Sequence, residues 1–292
     1  MKLINTLIPD IYRLVGKRDG WFTSELATEL GQEIALKMQV NFGERTESRS
    51  LRLSKMGPVC PRHLWYSVHK PELAEPLPGP AIIKFAYGHT IEAMAIALAK
   101  AAGHEVTGEQ DELVVDGVKG HRDCVLDGYI VDVKSCSSRM FEKFTKKTIQ
   151  VDDPFGYLDQ LDGYMVGSAN DDLVRVKDIA YIWAIDKVLG KMVLYEHRLR
   201  ADSIRARIHL HKQIVSSDDP PVCQCGVVSD GKSGNLRLDT KASYSPYKHE
   251  CFPGLRTFVY SDGYRFLTRV NRRPEAHILE LDRNGRRVYT IN

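Results

Sequence analysis

Three residues in one short segment have the side-chain types and the spacing that bind a divalent cation. In KGHRDCVLDGYIVDVKSC (119–136), Asp127-Gly128 is a strong signal for a two-residue hairpin turn. That turn pairs position 126 with 129 and places Asp123 directly opposite Asp132. Lys134 shares their face, because side chains alternate along a strand. Opposed carboxylates repel each other, so an ion such as Mg²⁺ would stabilise them, and the lysine could hold an attacking water.

The alternative interpretation of this segment is an ordinary solvated strand face. Asp123, Asp132 and Lys134 would then form surface ion pairs, which are common and weak. The opposite face of the hairpin carries three residues that suit a core, namely Cys124, Val131 and Val133.

Two helical patterns flank the hairpin and could contribute to the same site. Upstream, Gly88-His89-x-x-Glu92 places His89 and Glu92 one helical turn apart, so that either could reach the metal. Downstream, Gln160 and Tyr164 are spaced i, i+4, and an amide and a phenol on one face could bind a phosphate or a base edge. Taken alone, each pattern also occurs on ordinary helix surfaces.

The elements that must position these residues alternate between helix and strand periodicity. Helices are predicted over Ser24 to Gly43, over 85–102, from Asp153-Pro154 to Met165, and over 202–215. Strands are predicted over 112–135 and on both sides of Leu189-Gly190, with a last hairpin turned at Asn284-Gly285. This order predicts an α/β core with a mixed sheet, helices on both faces, and the site on the central strands.

The chain is predicted to comprise an N-terminal helical region (1–79), a core (80–215) and a cysteine-containing C-terminal region (216–292) that packs on the core. Its 292 residues are 43% hydrophobic and 27% charged, which indicates a folded protein of one large or two modest domains. The net charge of +3 does not by itself indicate a nucleic-acid partner. No membrane span or secretory signal is recognisable, so we expect a cytoplasmic protein that keeps its cysteines as thiols or metal ligands.

The four motifs, taken in order, resemble the RecB-type branch of the PD-(D/E)XK nucleases. They are Gly88–Glu92, Gly120-His121-Arg122-Asp123, Asp132-Val133-Lys134 and Gln160–Tyr164, within about residues 80–200. The resemblance implies a restriction-endonuclease-like mixed sheet flanked by helices. It also implies a DNA exonuclease that uses Mg²⁺ or Mn²⁺. The third motif carries Asp where many relatives carry Glu.

The resemblance also implies roles for the residues of these motifs. Asp123, Asp132 and the backbone carbonyl of Val133 would bind the metal, with Glu92 or His89 as a further ligand or water-positioning group. Lys134 would orient the attacking water. Gln160 and Tyr164 would help to hold the DNA strand.

Four cysteines outside the hairpin are similar to those of the iron–sulfur nucleases, which include CRISPR-adaptation exonucleases and AddB-type repair nucleases. They are Cys60, Cys223, Cys225 and Cys251. The resemblance implies a [4Fe–4S] cluster on these thiolates. The C-x-C spacing and the distant Cys251 depart from the usual pattern. Zn²⁺ would use the same four ligands, and unligated thiols are the remaining alternative.

Two further cysteines, Cys124 and Cys136, lie beside the site residues in the sequence and are predicted to be core thiols. The stretch CFPGLRTFVY (251–260) is similar to the tail of bacteriophage-encoded nucleases of this group. A role in phage or bacterial DNA recombination, replication or degradation would follow from that similarity.

DNA is the predicted partner, as a single strand or a duplex end, bound without sequence specificity. Three basic sets are candidate contacts, although each is also typical of a solvated face. They are Lys143, Lys146 and Lys147 with Phe141 and Phe144; Arg205, Arg207, His209, His211 and Lys212; and Arg269, Arg272 and Arg273. The rival functions are a sequence-specific or structure-specific endonuclease and a non-catalytic DNA-binding protein. No oligomer interface is recognisable in the sequence.

Overall fold

A computed structural model describes residues 2–17, 19–44, 49–275 and 277–288. The chain forms two compact units. The first consists of Met1–Thr46, Arg52–Gly57 and Gly79–Ala206, and the second of Glu47–Leu51, Pro58–Pro78 and Arg207–Asn292.

The helices and strands are numbered in chain order. The helices are α1 (Leu7–Lys17), α2 (Ser24–Phe42), α3 (Pro61–His69), α4 (Gly79–Ala101), α5 (Ser138–Thr145), α6 (Tyr157–Gly167), α7 (Ala201–Val215), α8 (Thr240–Ser243) and α9 (Lys248–Cys251). The strands are β1 (Val106–Thr107), β2 (Glu112–Val115), β3 (Val118–His121), β4 (Cys124–Leu126), β5 (Tyr129–Cys136), β6 (Ile179–Asp186), β7 (Met192–Arg198), β8 (Val227–Ser229), β9 (Leu236–Leu238), β10 (Arg256–Tyr260), β11 (Gly263–Arg269) and β12 (Leu279–Leu281).

The first unit contains a five-stranded sheet in the order β1-β4-β5-β6-β7. The β5–β6 pair is parallel and the other pairs are antiparallel, so the sheet is mixed. The β4–β5 turn has φ of 51° at Asp127 and 85° at Gly128, as a type I′ turn requires. The predicted register is observed from Leu126↔Tyr129 to Cys124↔Val131. A second Asp-Gly turn, at Asp116-Gly117, joins β2 to β3 in a separate hairpin that the sequence analysis did not distinguish.

Helices cover this sheet on both faces. One face packs Cys124, Val131 and Val133 against Leu7 of α1 and Ala95 of α4. The alternate residues of β5 point to the opposite face, where α6 lies. The predicted α/β class, with a mixed sheet flanked by helices, is therefore confirmed, and Cys124 and Cys136 are buried core thiols as expected.

One helix start agrees with the prediction and another differs from it. Helix α2 begins at Ser24 as predicted, and its N-cap is Thr23, whose hydroxyl accepts from the Leu26 N–H. Helix α6 begins only at Tyr157, because Gly156 takes a left-handed conformation before it. Asp153 still supports this helix through its carboxylate, which accepts from the Leu158 N–H at 2.9 Å.

Helix α4 is longer than predicted, because Pro80 fits the first turn of a helix. Its length and apolar composition would allow it to cross a membrane, and the core helices of soluble proteins also meet this criterion. Its Ala95 and Ala99 are fully buried in the core of the first unit.

A buried ionic network anchors α6, the helix that carries Gln160 and Tyr164. Asp162 is fully buried and accepts from His197 Nε2 at 2.7 Å and from Arg200 Nε at 2.8 Å. Arg200 also contacts Asp159, one turn earlier on α6, at 3.2 Å. Residues on β7 and in the segment after it therefore hold the helix on the sheet.

Replacing Asp162 with alanine is expected to lower the free energy of unfolding by about 3 kcal/mol, because His197 and Arg200 lose their buried acceptor. Asp178→Ala is the control. That carboxylate is 72% exposed and lies 3.8 Å from Arg198, so its loss should cost ~0–1 kcal/mol. Urea denaturation measures both variants, and equal losses would contradict an anchoring role for Asp162.

The second unit contains an antiparallel five-stranded sheet in the order β12-β10-β11-β9-β8. Leu238, Ala242 and Leu255 form a small core with Phe266 and Phe252 packed against it. A second cluster joins Trp65 and Tyr66 of α3 to Tyr247. The predicted turn at Asn284-Gly285 is present, with φ of 77° at Gly285 and a bridge between Leu281 and Arg287.

Candidate active site and metal centre

Asp132 and Lys134 lie together on the face of β5 that points toward α6. Lys134 Nζ is 2.6 Å from Asp132 Oδ2 and 5.5 Å from the centre of the Tyr157 ring. Gln160 Nε2 donates to Asp132 Oδ1 at 3.3 Å and to the Tyr164 hydroxyl at 2.6 Å. The motif residues of β5 and α6 therefore converge, as the sequence predicted.

Asp123 reaches the same site from just outside β4, where the chain bends before Cys124. The ladder ends at Cys124↔Val131, so Asp123 and Asp132 do not form the strand pair that the sequence predicted. Instead, Asp123 Oδ2 accepts from the Val133 N–H at 2.7 Å. The N–H and the carbonyl of a strand residue point to the same neighbour, so the Val133 carbonyl also faces the Asp123 side.

Helix α4 adds the side chains of Glu92 and His89. Glu92 Oε1 accepts from Lys37 Nζ of α2 and from Gln110 Nε2, both at 3.0 Å. His89 Nδ1 is 2.6 Å from Asn41 Nδ2. Other side chains therefore orient both Glu92 and His89. The negative charge of Asp123 favours the protonated form of each of them.

The carboxylates of this site are largely buried, and their negative charges repel one another. Burial, with the neighbouring charge of Asp123, raises the pKa of Asp132 to about 7 against the pull of Lys134. Burial and Asp123 likewise raise the pKa of Glu92 to about 7, although Lys37 opposes the shift. Burial disfavours the charge of Lys134, yet the Asp132 and Asp123 carboxylates hold its pKa above the usual value.

This arrangement suits a hard divalent cation. Asp132 is 1% exposed, and its two oxygens contact the Lys134 ammonium at 2.6 Å and the Gln160 amide at 3.3 Å. Mg²⁺ binds to one or two carboxylates and keeps several waters, a demand that Asp123, Asp132 and the Val133 carbonyl can meet. Such a cation would also relieve the repulsion that raises these pKa values.

The metal-free protein is expected to lose stability as the pH rises through 7. Asp132 has a folded pKa of about 7, raised from 3.8, so its contribution is fully present below the lower value and is lost above the upper one. In EDTA at pH 8, Asp132→Asn should therefore melt at a higher temperature than the wild type, and at pH 4 the two should melt alike. Thermal denaturation with Asp178→Asn as the control measures this. A lower melting temperature for Asp132→Asn at pH 8 would contradict the repulsion described above.

Several site residues were not anticipated by the sequence analysis. Tyr157 lies three residues before Gln160, so the helical spacing that identified Gln160 and Tyr164 extends to it. Lys37, Asn41 and Gln110 carry no comparable signal, because they come from separate elements that only the folded chain brings to α4.

The four outer cysteines form a second cluster, within the second unit. The sulfur atoms of Cys60, Cys223, Cys225 and Cys251 all lie within 4.8 Å of one another and could bind a metal. Among the described residues, these thiols are the set of three or more His, Cys, Asp or Glu side chains that meets this limit, so the ligand atoms of the acidic site are spread more widely. The sequence prediction that Cys60 joins the three distant cysteines agrees with this geometry.

Donors around the sulfurs favour thiolates. The Gln224 N–H donates to Cys60 Sγ at 3.2 Å, and His63 Nε2 lies 3.3 Å from Cys225 Sγ. Contacts with the Cys225 and Cys251 thiols lower the pKa of Cys60. Contacts with the Cys251 and Cys60 sulfurs raise the pKa of Cys225. A bound cation would remove this competition for protons, because it is ligated by thiolates.

The sulfur spacing fits one tetrahedral ion. Zn–S bonds of about 2.3 Å separate tetrahedral sulfur ligands by about 3.8 Å. Cys60 Sγ and Cys251 Sγ are 3.9 Å apart. In a four-iron cluster each thiolate binds a different iron, so the ligands are spread by the width of the cluster itself.

The first two basic sets are largely engaged within the protein. Phe144 is 1% exposed, which removes it as a stacking surface, and Lys143 pairs with Asp152 at 2.5 Å. Arg205 pairs with Asp116 at 3.1 Å. His211 is 3% exposed, and burial with the Arg207 charge lowers its pKa to about 4, so that it is neutral near pH 7.

No family model matches this sequence, and no curated protein matches it. The solved structures that are similar include an alkaline exonuclease (LHK-Exo) from Laribacter hongkongensis. The two sequences are 12% identical, the match covers 64% of this chain and 91% of that chain, and the TM-score is 0.41. LHK-Exo in complex with dAMP shares 14% identity over 56% of this chain and 87% of its own, with a TM-score of 0.35. The protein SSO0001 shares 14% identity over 79% of this chain and 97% of its own, with a TM-score of 0.41.

Proposed function

We propose that this protein is a Mg²⁺- or Mn²⁺-dependent DNA nuclease that hydrolyses phosphodiester bonds. The observation that carries the proposal is the ion pair between Asp132 and Lys134, buried beside Asp123 and in contact with Gln160. A surface ion pair would be solvated, whereas Asp132 is 1% exposed and its Oδ2 contacts the Lys134 ammonium at 2.6 Å. A bound cation would offset the repulsion between the carboxylates of this site.

The side chains divide the work of in-line hydrolysis. The bound cation would neutralise charge on the phosphate and lower the pKa of a water. Asp123, Asp132 and the Val133 carbonyl hold that cation. Lys134 orients the attacking water, and its ammonium is paired with Asp132, so the two groups act as one unit. Glu92 or His89 positions a second water or completes the ligand set.

Gln160 of α6 is the residue of its motif that would help to hold the substrate strand. It donates to both Asp132 and Tyr164, and because Tyr164 is 2% exposed, the phenol would act by orienting the Gln160 amide beside the metal site. Exonuclease action, in the RecB-type branch of the PD-(D/E)XK superfamily, is part of this proposal. It rests on the order of the four motifs.

The deciding experiment compares end-labelled linear DNA with a closed circle, in Mg²⁺, Mn²⁺ or EDTA. Wild type should degrade the linear substrate only, and only with metal. Asp132→Ala should abolish this activity, whereas Asp178→Ala, a change at an exposed carboxylate, should not. Cleavage of the circle would favour an endonuclease. DNA binding without cleavage under every metal condition would favour a non-catalytic DNA-binding protein.

A structural metal on the four thiols is a second part of the proposal. The 3.9 Å separation of two sulfurs favours a single Zn²⁺, and the resemblance to iron–sulfur nucleases favours a [4Fe–4S] cluster. Protein purified without oxygen distinguishes them, since zinc leaves it colourless and the cluster makes it brown. A preparation with neither metal would exclude both.

The biological setting that we propose is the cytoplasm of a bacterium, or of the host of a phage. DNA recombination, replication or degradation would supply the strands to be cut. All three settings supply DNA with free linear ends. The comparison of linear with circular DNA therefore tests this substrate class.

A further inference from the structure

The C-terminal part of the chain carries an unusual concentration of one basic residue. Residues 256–292 contain eight arginines, four carboxylates and no lysine, a formal charge of +4 compared with +3 for the whole protein. Arginine binds phosphate through two parallel N–H bonds, and its guanidinium also stacks on aromatic rings. The composition therefore indicates phosphate recognition more specifically than a general positive charge would.

The register of the second sheet brings these arginines to one face. Arg256, Phe258 and Tyr260 alternate along β10, and Arg265 of β11 is opposite Phe258. Arg237 of β9 is opposite Leu267, which in turn is opposite Arg256, so it shares that side. We call Arg237, Arg256, Arg265 and Arg273 with Phe258 and Tyr260 the arginine face.

Rings and carboxylates hold the guanidinium groups in place. The Arg256 guanidinium lies 5.2 Å from the Phe258 ring, and that of Arg265 lies 4.0 Å from the Tyr260 ring. Asp230 is shared by Arg237 at 3.5 Å and Arg265 at 3.4 Å.

Glu280 is shared in the same way, by Arg256 at 2.6 Å and Arg273 at 3.8 Å. Asp262, in the β10–β11 turn, also lies 3.4 Å from Arg265. Four guanidinium groups thus face three carboxylates, which leaves one positive charge in excess among these seven groups.

The opposite side of this sheet is already occupied. Phe266, which alternates with Arg265, packs on the core of Leu238, Ala242 and Leu255. The arginine side chains remain between 34% and 51% exposed. Phe258 and Leu267 on the same side are buried, so the arginine side chains are the part of the arginine face that can contact a partner.

We propose that the arginine face binds the phosphodiester backbone of DNA, as a docking surface separate from the acidic residues of the first unit. Charge complementarity selects this partner, since four partly exposed guanidinium groups lie together on one side of the sheet. Bases are not expected to stack here, because arginines already lie over the Phe258 and Tyr260 rings. The inference rests on the proposed function, which it extends by naming how a long substrate is held.

The test measures fluorescence anisotropy of labelled single-stranded DNA in EDTA, across a series of salt concentrations. The variant combines Arg237→Gln, Arg265→Gln and Arg273→Gln, and its control is Arg198→Gln, an arginine 71% exposed and also paired with two carboxylates. Losing three phosphate contacts should lower the slope of log K against log salt by about 2 and weaken binding by about tenfold or more. Arg198→Gln should bind like the wild type.

A small phosphodiester, bis(p-nitrophenyl) phosphate, separates this inference from the proposed function. Its metal-dependent hydrolysis should be unchanged in the triple variant, because it reaches only the acidic site. If the wild type does not hydrolyse DNA at all, the proposed function fails while the binding comparison still tests the arginine face. An unchanged affinity and salt slope, or an equal loss in Arg198→Gln, would overturn the inference. Circular dichroism verifies folding, and Arg265→Gln alone replaces the triple variant if that variant unfolds.

Discussion

Lys134→Met is expected to lower kcat/KM on linear DNA by ~10²–10⁴-fold while leaving DNA binding in EDTA close to that of the wild type. The methionine keeps most of the length of the side chain but removes the ammonium that lies 2.6 Å from Asp132. On the proposed function this ammonium orients the attacking water, and loss of a group that acts in proton transfer costs about this much. Binding depends on other contacts, so the defect should appear in kcat.

Lys143→Met is a matched control for that variant. Lys143 lies nine residues further along the chain and also makes one ion pair, with Asp152 at 2.5 Å. It should retain the activity of the wild type. Because Lys134→Met leaves a buried carboxylate without its counter-ion, thermal denaturation with Mg²⁺ present verifies that the variant is folded. A folded Lys134→Met protein with full activity would exclude the proposed role of the lysine.

Cys60→Ser is expected to remove the bound metal and to abolish cooperative unfolding of the second unit. Cys60 is one of four sulfurs that lie within 4.8 Å of one another, and it is the one contributed by the segment before α3. Structural zinc bound by four such ligands contributes ~10 kcal/mol or more to folding, so a small unit cannot lose a ligand without a large effect. Elemental analysis and thermal denaturation measure the two consequences.

Cys136→Ala provides the control for the cysteine experiment. Its thiol is buried in the first unit and donates to the Ile185 carbonyl, away from the four clustered sulfurs. The variant should keep its metal, with only the modest cost of a small cavity. Metal content that is unaffected by Cys60→Ser would show that the four thiols are not the ligands. A second unit that melts normally without metal would contradict the structural role.

Local patterns in the sequence determined the parts of the site that lie within one element or one tight turn. The Asp127-Gly128 turn decided the register of β4 and β5, because a type I′ turn closes an antiparallel pair at one position only. That register put Asp132 and Lys134 on one face. The helical repeat likewise put Gln160 and Tyr164 together. Each of these relations spans at most a few residues, and backbone geometry alone decides them.

The same local rules failed where the chain leaves regular structure. Asp123 was predicted to continue the ladder, but the chain bends there, and its carboxylate bonds to the Val133 N–H instead of facing Asp132 as a strand pair. Phe144 was predicted, with the lysines beside it, to contact DNA, yet it is buried in the core. Burial depends on what packs above a residue, which no local pattern contains.

Contacts between distant segments were decided by the tertiary structure alone. Lys37 and Gln110 hold Glu92, and the bonds join residues 55 and 18 positions apart in the chain. The arginine face is similar, because three strands must assemble before Arg237, Arg256 and Arg265 share a side. The sequence by itself determined which chemical groups this protein carries and how neighbours along each element are spaced. Only the fold decided which carboxylates are buried and which arginine side chains remain partly exposed, because burial and long-range pairing arise from packing.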